Sequence, residues 1–143
     1  MTSGAPFTVA LHPDIDQSNT GRSNLGFGNN DRPHVSGDGS LSGDERSEDE
    51  WFDTAAFSFP AFGTFGNAGR NILDGPGYRN VNLGVTKVLP VGDARLQLRL
   101  EVFNLFNRAN LDLPDAFLGS PTFGRILSAG APRRVQLGVK AIF

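Results

Sequence analysis

Three stretches in the second half of the chain alternate apolar with polar residues. In YRNVNLGVTKVL, from Tyr78 to Leu89, the residues Val81, Leu83, Val85 and Leu89 share one parity; Asn80, Asn82 and Thr86 take the other. Lys87 is the exception on the apolar side. In ARLQLRLEVF the division is complete, with Leu96, Leu98, Leu100 and Val102 set against Arg95, Gln97, Arg99 and Glu101. The chain closes on PRRVQLGVKAIF, where Val135, Leu137, Val139, Ala141 and Phe143 alternate with Arg134, Gln136, Gly138 and Lys140. A period of two is the pleat of a β-strand with one apolar face. Between the first two stretches, PVGDA (Pro90 to Ala94) carries Pro and a Gly-Asp pair, the chemistry of a tight hairpin turn.

The rest of the chain has no sustained period. Residues 11–77 are rich in Gly, Asn, Asp, Ser and Pro and read as one long irregular loop. A second loop follows Asn107, where Pro114 and Pro121 exclude a continuous ladder. The pattern therefore predicts an all-β chain whose strands run to about ten residues, longer than the usual five or six and long enough to cross a bilayer when tilted. A soluble sheet with one buried face alternates in the same way, so period alone leaves the solvent open. The connections favour a membrane barrel, because one is very short and those flanking it are long. Three strands cannot close a barrel, for which about eight are the minimum.

Composition changes this picture little. The chain of 143 residues is 38% hydrophobic, with 18 glycines and 9 prolines, which makes a large soluble core hard to build. It has no cysteine, so disulfides and thiolate metal sites are absent. A formal charge of -2 supplies no basic field for nucleic acid. The longest apolar runs span a few residues and no helix of about 20 can cross a membrane; barrel strands, whose average hydropathy is low, are unaffected. The start, MTSGAPFTVALHPDID, lacks the basic and apolar regions of a secretory signal.

No catalytic constellation, cofactor motif or metal site emerges. His12 and His34 are the only histidines, and neither sits in a ligand spacing. Asp14 and Asp16 begin a calcium-loop spacing, but Asn19 stands where its Gly belongs and Leu25 where its Glu belongs. The acidic run SGDGSLSGDERSEDE, Ser36 to Glu50, reads as a solvated loop with too little apolar surface to order itself. GTFGNAGRN lacks the Lys-Ser/Thr ending of a phosphate cradle and reads as a glycine-permitted turn. Trp51, with Phe52 and Phe57, is expected to pin the long loop against itself. If the apolar faces meet lipid, Val81, Leu83, Val85, Leu96, Leu98, Leu100, Val102 and Phe106 are lipid-facing. Arg95, Gln97, Arg99, Glu101, Arg134, Gln136 and Lys140 then face the lumen, where charges tolerate a wet interior and pair across strands.

Specific words add to the periods. GAPFTV, DRPHVSGD, the long segment from Trp51 to Lys87, LQLRLEVFNLFNRANL and FGRILSAGAPRRVQLGVKAIF together resemble the C-terminal end of TonB-dependent outer-membrane receptors. The resemblance is to the Oar-like branch, whose members carry a carboxypeptidase-regulatory-like domain, and it covers nearly the whole chain. Its most specific parts are Trp51 to Phe57, Gly63 to Gly77 and EVFNLFN, Glu101 to Asn107. In relatives the stretch matching Gly37 to Glu50 is shorter, so it takes no family role.

The resemblance implies a barrel of roughly 22 strands, plugged by an N-terminal domain and powered through an inner-membrane TonB complex. The chain is then a terminal fragment in the cell outer membrane, with the signal peptide, plug and most of the barrel upstream. Its partners are outer-membrane lipid, the rest of the barrel and plug, the outer-membrane assembly machinery and, through the missing part, the TonB complex; there is no nucleic-acid partner.

With Phe143 in the periplasm, residues 1–10 end a strand and 11–77 form an extracellular loop. Residues 78–106 form a β-hairpin, 107–132 a second extracellular loop and 133–143 the closing strand. Val135, Leu137, Val139, Ala141 and Phe143 resemble the signal recognised by the assembly machinery. The alternative is a soluble secreted β-rich binding or adhesin-like module without catalytic activity.

Overall fold

A computed structural model describes residues 2–21 and 31–143; Leu25 and the part of the expected long loop over 22–30 lie outside them. Among the described residues regular structure is β-strand, apart from a single 3-10 turn at Thr54–Ala56 whose N-terminus is capped by the Asp53 carboxylate. The short strands are β1 (Pro6–Phe7), β2 (Ala10–Leu11), β3 (His34–Val35), β4 (Phe57–Ser58), β5 (Leu73–Asp74) and β8 (Phe117–Leu118). The long ones are β6 (Leu83–Val91), β7 (Ala94–Phe103) and β9 (Arg134–Ile142). The chain divides into two compact units.

The strand unit comprises Thr2, Tyr78–Asn110 and Ala129–Phe143. It is an antiparallel sheet in the order β6-β7-β9. The two residues Gly92 and Asp93 turn β6 into β7, with Val91 paired to Ala94. Gly92 has φ 61°, the positive value at the first central position that a type II′ hairpin needs and that glycine adopts without strain. The sheet is not closed: β6 and β9 each keep one edge with no strand beside it among the described residues.

The second unit comprises the described parts of Ser3–Gly77 with Leu111–Ser128. Its two-residue strands pair as β1 with β5, β3 with β4, and β2 with β8, the last in parallel. Its core is aromatic. The Phe52 ring, 1% exposed, lies with its centroid 5.7 Å from Phe7, 5.6 Å from Phe57 and 5.2 Å from Phe123, the tilted and edge-on contacts that rings prefer. Val9, Ala56 and Leu73 complete the cluster. Trp51 packs against it, donating from Nε1 to the Asp74 carbonyl at 3.0 Å, and the Arg46 guanidinium stands over its ring, 5.5 Å from the centroid.

Two expectations change here. Of residues 1–10, read as the end of a membrane strand, Thr2 bridges Tyr78 in the strand unit, whereas Ser3 to Ala10 contribute to the second unit, where Phe7 and Val9 are buried together with Leu11. Phe7 and Val9 join the aromatic cluster, and the ladders of this segment run to β5 and β8. The acidic run is also more ordered than its composition suggests. Gly39 O accepts from Asp53 N, Glu48 O accepts from Ile126 N, and Arg125 pairs with Asp49 at 2.7 Å. Ser40 amide and hydroxyl bonds hold the Asp38 carboxyl below its ordinary value, and the Ser42 hydroxyl and amide do the same for Glu45. Order is thus supplied by hydrogen bonds to neighbouring segments, not by apolar burial within the run.

Candidate functional site

The long sheet brings together residues that the pattern assigned to separate strands. Its register sets Leu83, Val102 and Val135 in one row, then Val85, Leu100 and Leu137, then Lys87, Leu98 and Val139, then Leu89, Leu96 and Ala141. Directly opposed residues share a face, so the three apolar stripes coincide. That face is open: Val135 is 61%, Leu137 77% and Val139 70% exposed. Val81 lies before β6, where its carbonyl accepts from Leu105 N, and Phe106 lies beyond β7 with 74% exposure. Phe143 follows the last strand and is fully exposed.

The opposite face carries Arg95, Gln97, Arg99, Glu101, Arg134, Gln136 and Lys140. Each row along β7 holds a single charged residue: Arg95 opposite Ile142, Lys140 opposite Gln97, Arg99 opposite Gly138, Glu101 opposite Gln136, and Arg134 opposite Phe103. Arg99 and Glu101 pair along the same strand, Nη2 to Oε1, at 2.6 Å. Around them Gly84, Thr86 and Gly138 keep the wall low.

At the end of the hairpin away from the turn, a set of asparagines that the sequence reading left without a role holds the strands together. Asn104 is 4% exposed with φ 52°. Its backbone N–H donates to Asn82 Oδ1 at 3.0 Å, its Nδ2 donates to the carbonyls of Arg108 and Ala131, and its Oδ1 accepts from Arg108 N. Asn107, with φ 49°, accepts from Arg133 N, and Asn110 accepts from Arg79 N. The signal was present in NLFNRAN, three asparagines at every third position, since Asn is the non-glycine residue that best tolerates the left-handed region. Asn82, Asn104 and Asn110 border a cavity of about 700 Å³ whose lining includes Tyr78, Asn80, Phe103, Arg134 and Gln136.

Elsewhere, the residues considered for chemistry have structural partners. His12 Nδ1 accepts from Asp14 N at 3.4 Å and its ring meets Phe117 edge-on. His34 lies in β3 opposite Ser58. The Asp16 carboxylate accepts from Ser18 Oγ, Thr20 N and Gly21 N, closing a turn on itself. Among the described residues no group of three or more His, Cys, Asp or Glu is gathered as a metal site. Gly66, inside the glycine-rich stretch, passes so close to the Arg32 and Pro33 carbonyls that any Cβ there would overlap them.

No curated protein and no solved structure matches the chain. A family model described as "Outer membrane beta barrel domain" matches residues 1–136.

Proposed function

We propose, from the premise that this chain belongs to the outer membrane beta barrel domain family, that it forms the C-terminal part of a TonB-dependent receptor of the Oar-like branch and serves transport rather than catalysis. The family makes it an outer-membrane β-barrel protein; the receptor role, the branch and the direction of the strands are the proposal. The register of the long sheet, which collects three apolar stripes on one open face and charged residues on the other, is the observation that supports the barrel part of this reading; the receptor role and branch rest on the resemblance of Trp51 to Phe57, Gly63 to Gly77 and Glu101 to Asn107. The strands of 9, 10 and 9 residues match the length of about 9–11 that a tilted strand needs to cross a bilayer. In this reading the two free edges meet the remaining barrel strands, the Gly92–Asp93 turn lies in the periplasm and the plug that engages the TonB complex belongs upstream.

Val135, Leu137, Val139, Ala141 and Phe143 act in this proposal as the insertion signal, since the last strand presents its apolar residues to the assembly machinery. Deleting Phe143 lowers the amount of protein reaching the outer membrane, measured by fractionation; an unchanged amount counts against the role.

The 143 residues hold no cysteine, which makes single-site labelling direct. A fluorophore on Cys introduced at Leu137 is expected to be quenched by nitroxides on lipid chains, and one at Gln136 by a water-soluble quencher. Equal quenching of both from water, with the protein in the medium, supports the secreted binding module instead. Loss of cargo uptake on deletion of the TonB component tests the receptor role separately.

A further inference from the structure

The charge of this chain is not evenly spread. The segments of the strand unit carry eight Lys and Arg against two carboxylates, whereas those of the second unit carry five against thirteen. A net charge of -2 for the whole therefore conceals a strongly basic sheet. On the polar face of that sheet the cations form a column, one per row of β7, interrupted only by Glu101. Glu101 is itself taken up by Arg99. Among the described residues Arg95, Arg134 and Lys140 have no carboxylate within ion-pair distance. Their opposite neighbours are Ile142, Phe103 and Gln97. A wall that merely tolerated water would be expected to pair its charges across strands; this one leaves three cations facing outward from the sheet.

Alternate residues on a strand lie about 7 Å apart, so Arg95 and Lys140, in successive rows, stand at the spacing at which an extended peptide presents every second side chain, and Arg134 lies three rows further on, beyond the Arg99–Glu101 pair. At the far end from the turn the column runs into the asparagine-bordered cavity, where Arg134 stands with the amides of Asn80 and Gln136 and the rings of Tyr78 and Phe103. A cation, neutral amide donors and an aromatic surface in one hollow suit the carboxylate and apolar body of a peptide residue. The low residues Gly84, Thr86 and Gly138 leave room along the wall for a backbone to lie.

We propose that the polar face of β6, β7 and β9 is a binding track for an extended acidic peptide cargo, received at the Tyr78–Arg134 cavity and held by Arg134, Lys140 and Arg95 in turn. This rests on the receptor reading above, in which that face lines the lumen. Its ligand class, however, can be tested without transport.

The probe is a fluorescein-labelled peptide of alternating Glu and Ser, compared with its Lys-Ser counterpart and with inorganic polyphosphate, on the intact protein purified in detergent. The Glu-Ser peptide is expected to bind and the Lys-Ser peptide not to. Replacing Arg95, Arg134 and Lys140 together by Gln weakens binding about tenfold, and raising salt to about 1 M has a similar effect. Because a Gln variant that misfolded would also lose binding, heat-modified migration of the barrel is checked in parallel. A second variant with Glu at the same three positions is expected to take the Lys-Ser peptide instead.

Equal binding by parent and Gln variant, or equal binding of both peptides by the parent, overturns the proposal. Polyphosphate binding more tightly than the Glu-Ser peptide also overturns it, as does tighter peptide binding once the plug is removed, which would make the plug the occupant. Charge-dependent binding with uptake that ignores TonB keeps the track and refutes the receptor; TonB-dependent uptake with charge-blind binding does the reverse.

Discussion

Asp115 gathers several interactions in the second unit. Oδ2 accepts from the hydroxyls of Ser120 and Thr122, Oδ1 accepts from Phe117 N, and its backbone bonds to both Gly124 and Arg125. Burial pushes this carboxyl up, but the bonds from Ser120, Thr122 and the Phe117 amide together outweigh it, with a smaller pull from His12, so the group sits below its ordinary value. A depressed folded value means that the folded state favours the charged form. The stabilisation is complete above the ordinary aspartate value and is lost as pH falls through the lower folded one. Asp115→Asn is therefore expected to remove about 1 kcal/mol at neutral pH, a partly exposed acceptor contributing at the low end of its range. It also flattens the acid limb of unfolding, which the single tryptophan, Trp51, reports by fluorescence. An acid limb as steep as the parent's would assign the pH dependence to other groups.

The hairpin and closing strand show what an element adds to its residues. Each stripe alone is a period of two; paired, they make a face on which Lys87 is the one cation, in line with Leu98 and Val139. A lysine near the middle of a lipid-facing strand costs about 2–4 kcal/mol, reduced when its long stem lets the ammonium reach the interface. If that face meets lipid, Lys87→Leu raises the stability of the inserted barrel by up to about 2 kcal/mol, measured as a higher urea midpoint in lipid vesicles. No change, or a loss, would mean that Lys87 meets water or a partner. The asparagines at the other end act on the same scale. Asn104, Asn107 and Asn110 satisfy backbone groups where the strands stop, which is why NLFNRAN could resemble a family word while its individual residues carried no chemistry.

For the whole molecule, the consequence of two units is two separate sources of stability. The second unit depends on one aromatic cluster around Phe52, and the strand unit on ladders of backbone hydrogen bonds between β6, β7 and β9. Phe52→Ala is expected to destabilise the second unit by about 3–5 kcal/mol, shifting the transition reported by Trp51. Amide hydrogen exchange in the three long strands should stay as it was. A coincident loss of protection in β7 would show instead that the units unfold as one.

Strand period and the Gly-Asp turn were legible because they are local. A pleat alternates side chains whatever it pairs with, and a turn of two residues needs its positive φ within the turn itself. The polar column was visible only as letters on separate strands. It became a row of single charges, four of them cationic, once the register placed Lys140 against Gln97 and Arg134 against Phe103. Likewise Phe7, Phe52, Phe57 and Phe123 are scattered over most of the chain and form a cluster only in space; the loop-like composition between them concealed a core. Sequence alone determined which residues alternate and where the chain turns, because those follow from steric preferences of neighbouring residues. Tertiary structure decided which faces coincide, which charges stay unpaired and which loop is ordered, because each depends on burial and hydrogen bonds between residues far apart along the chain.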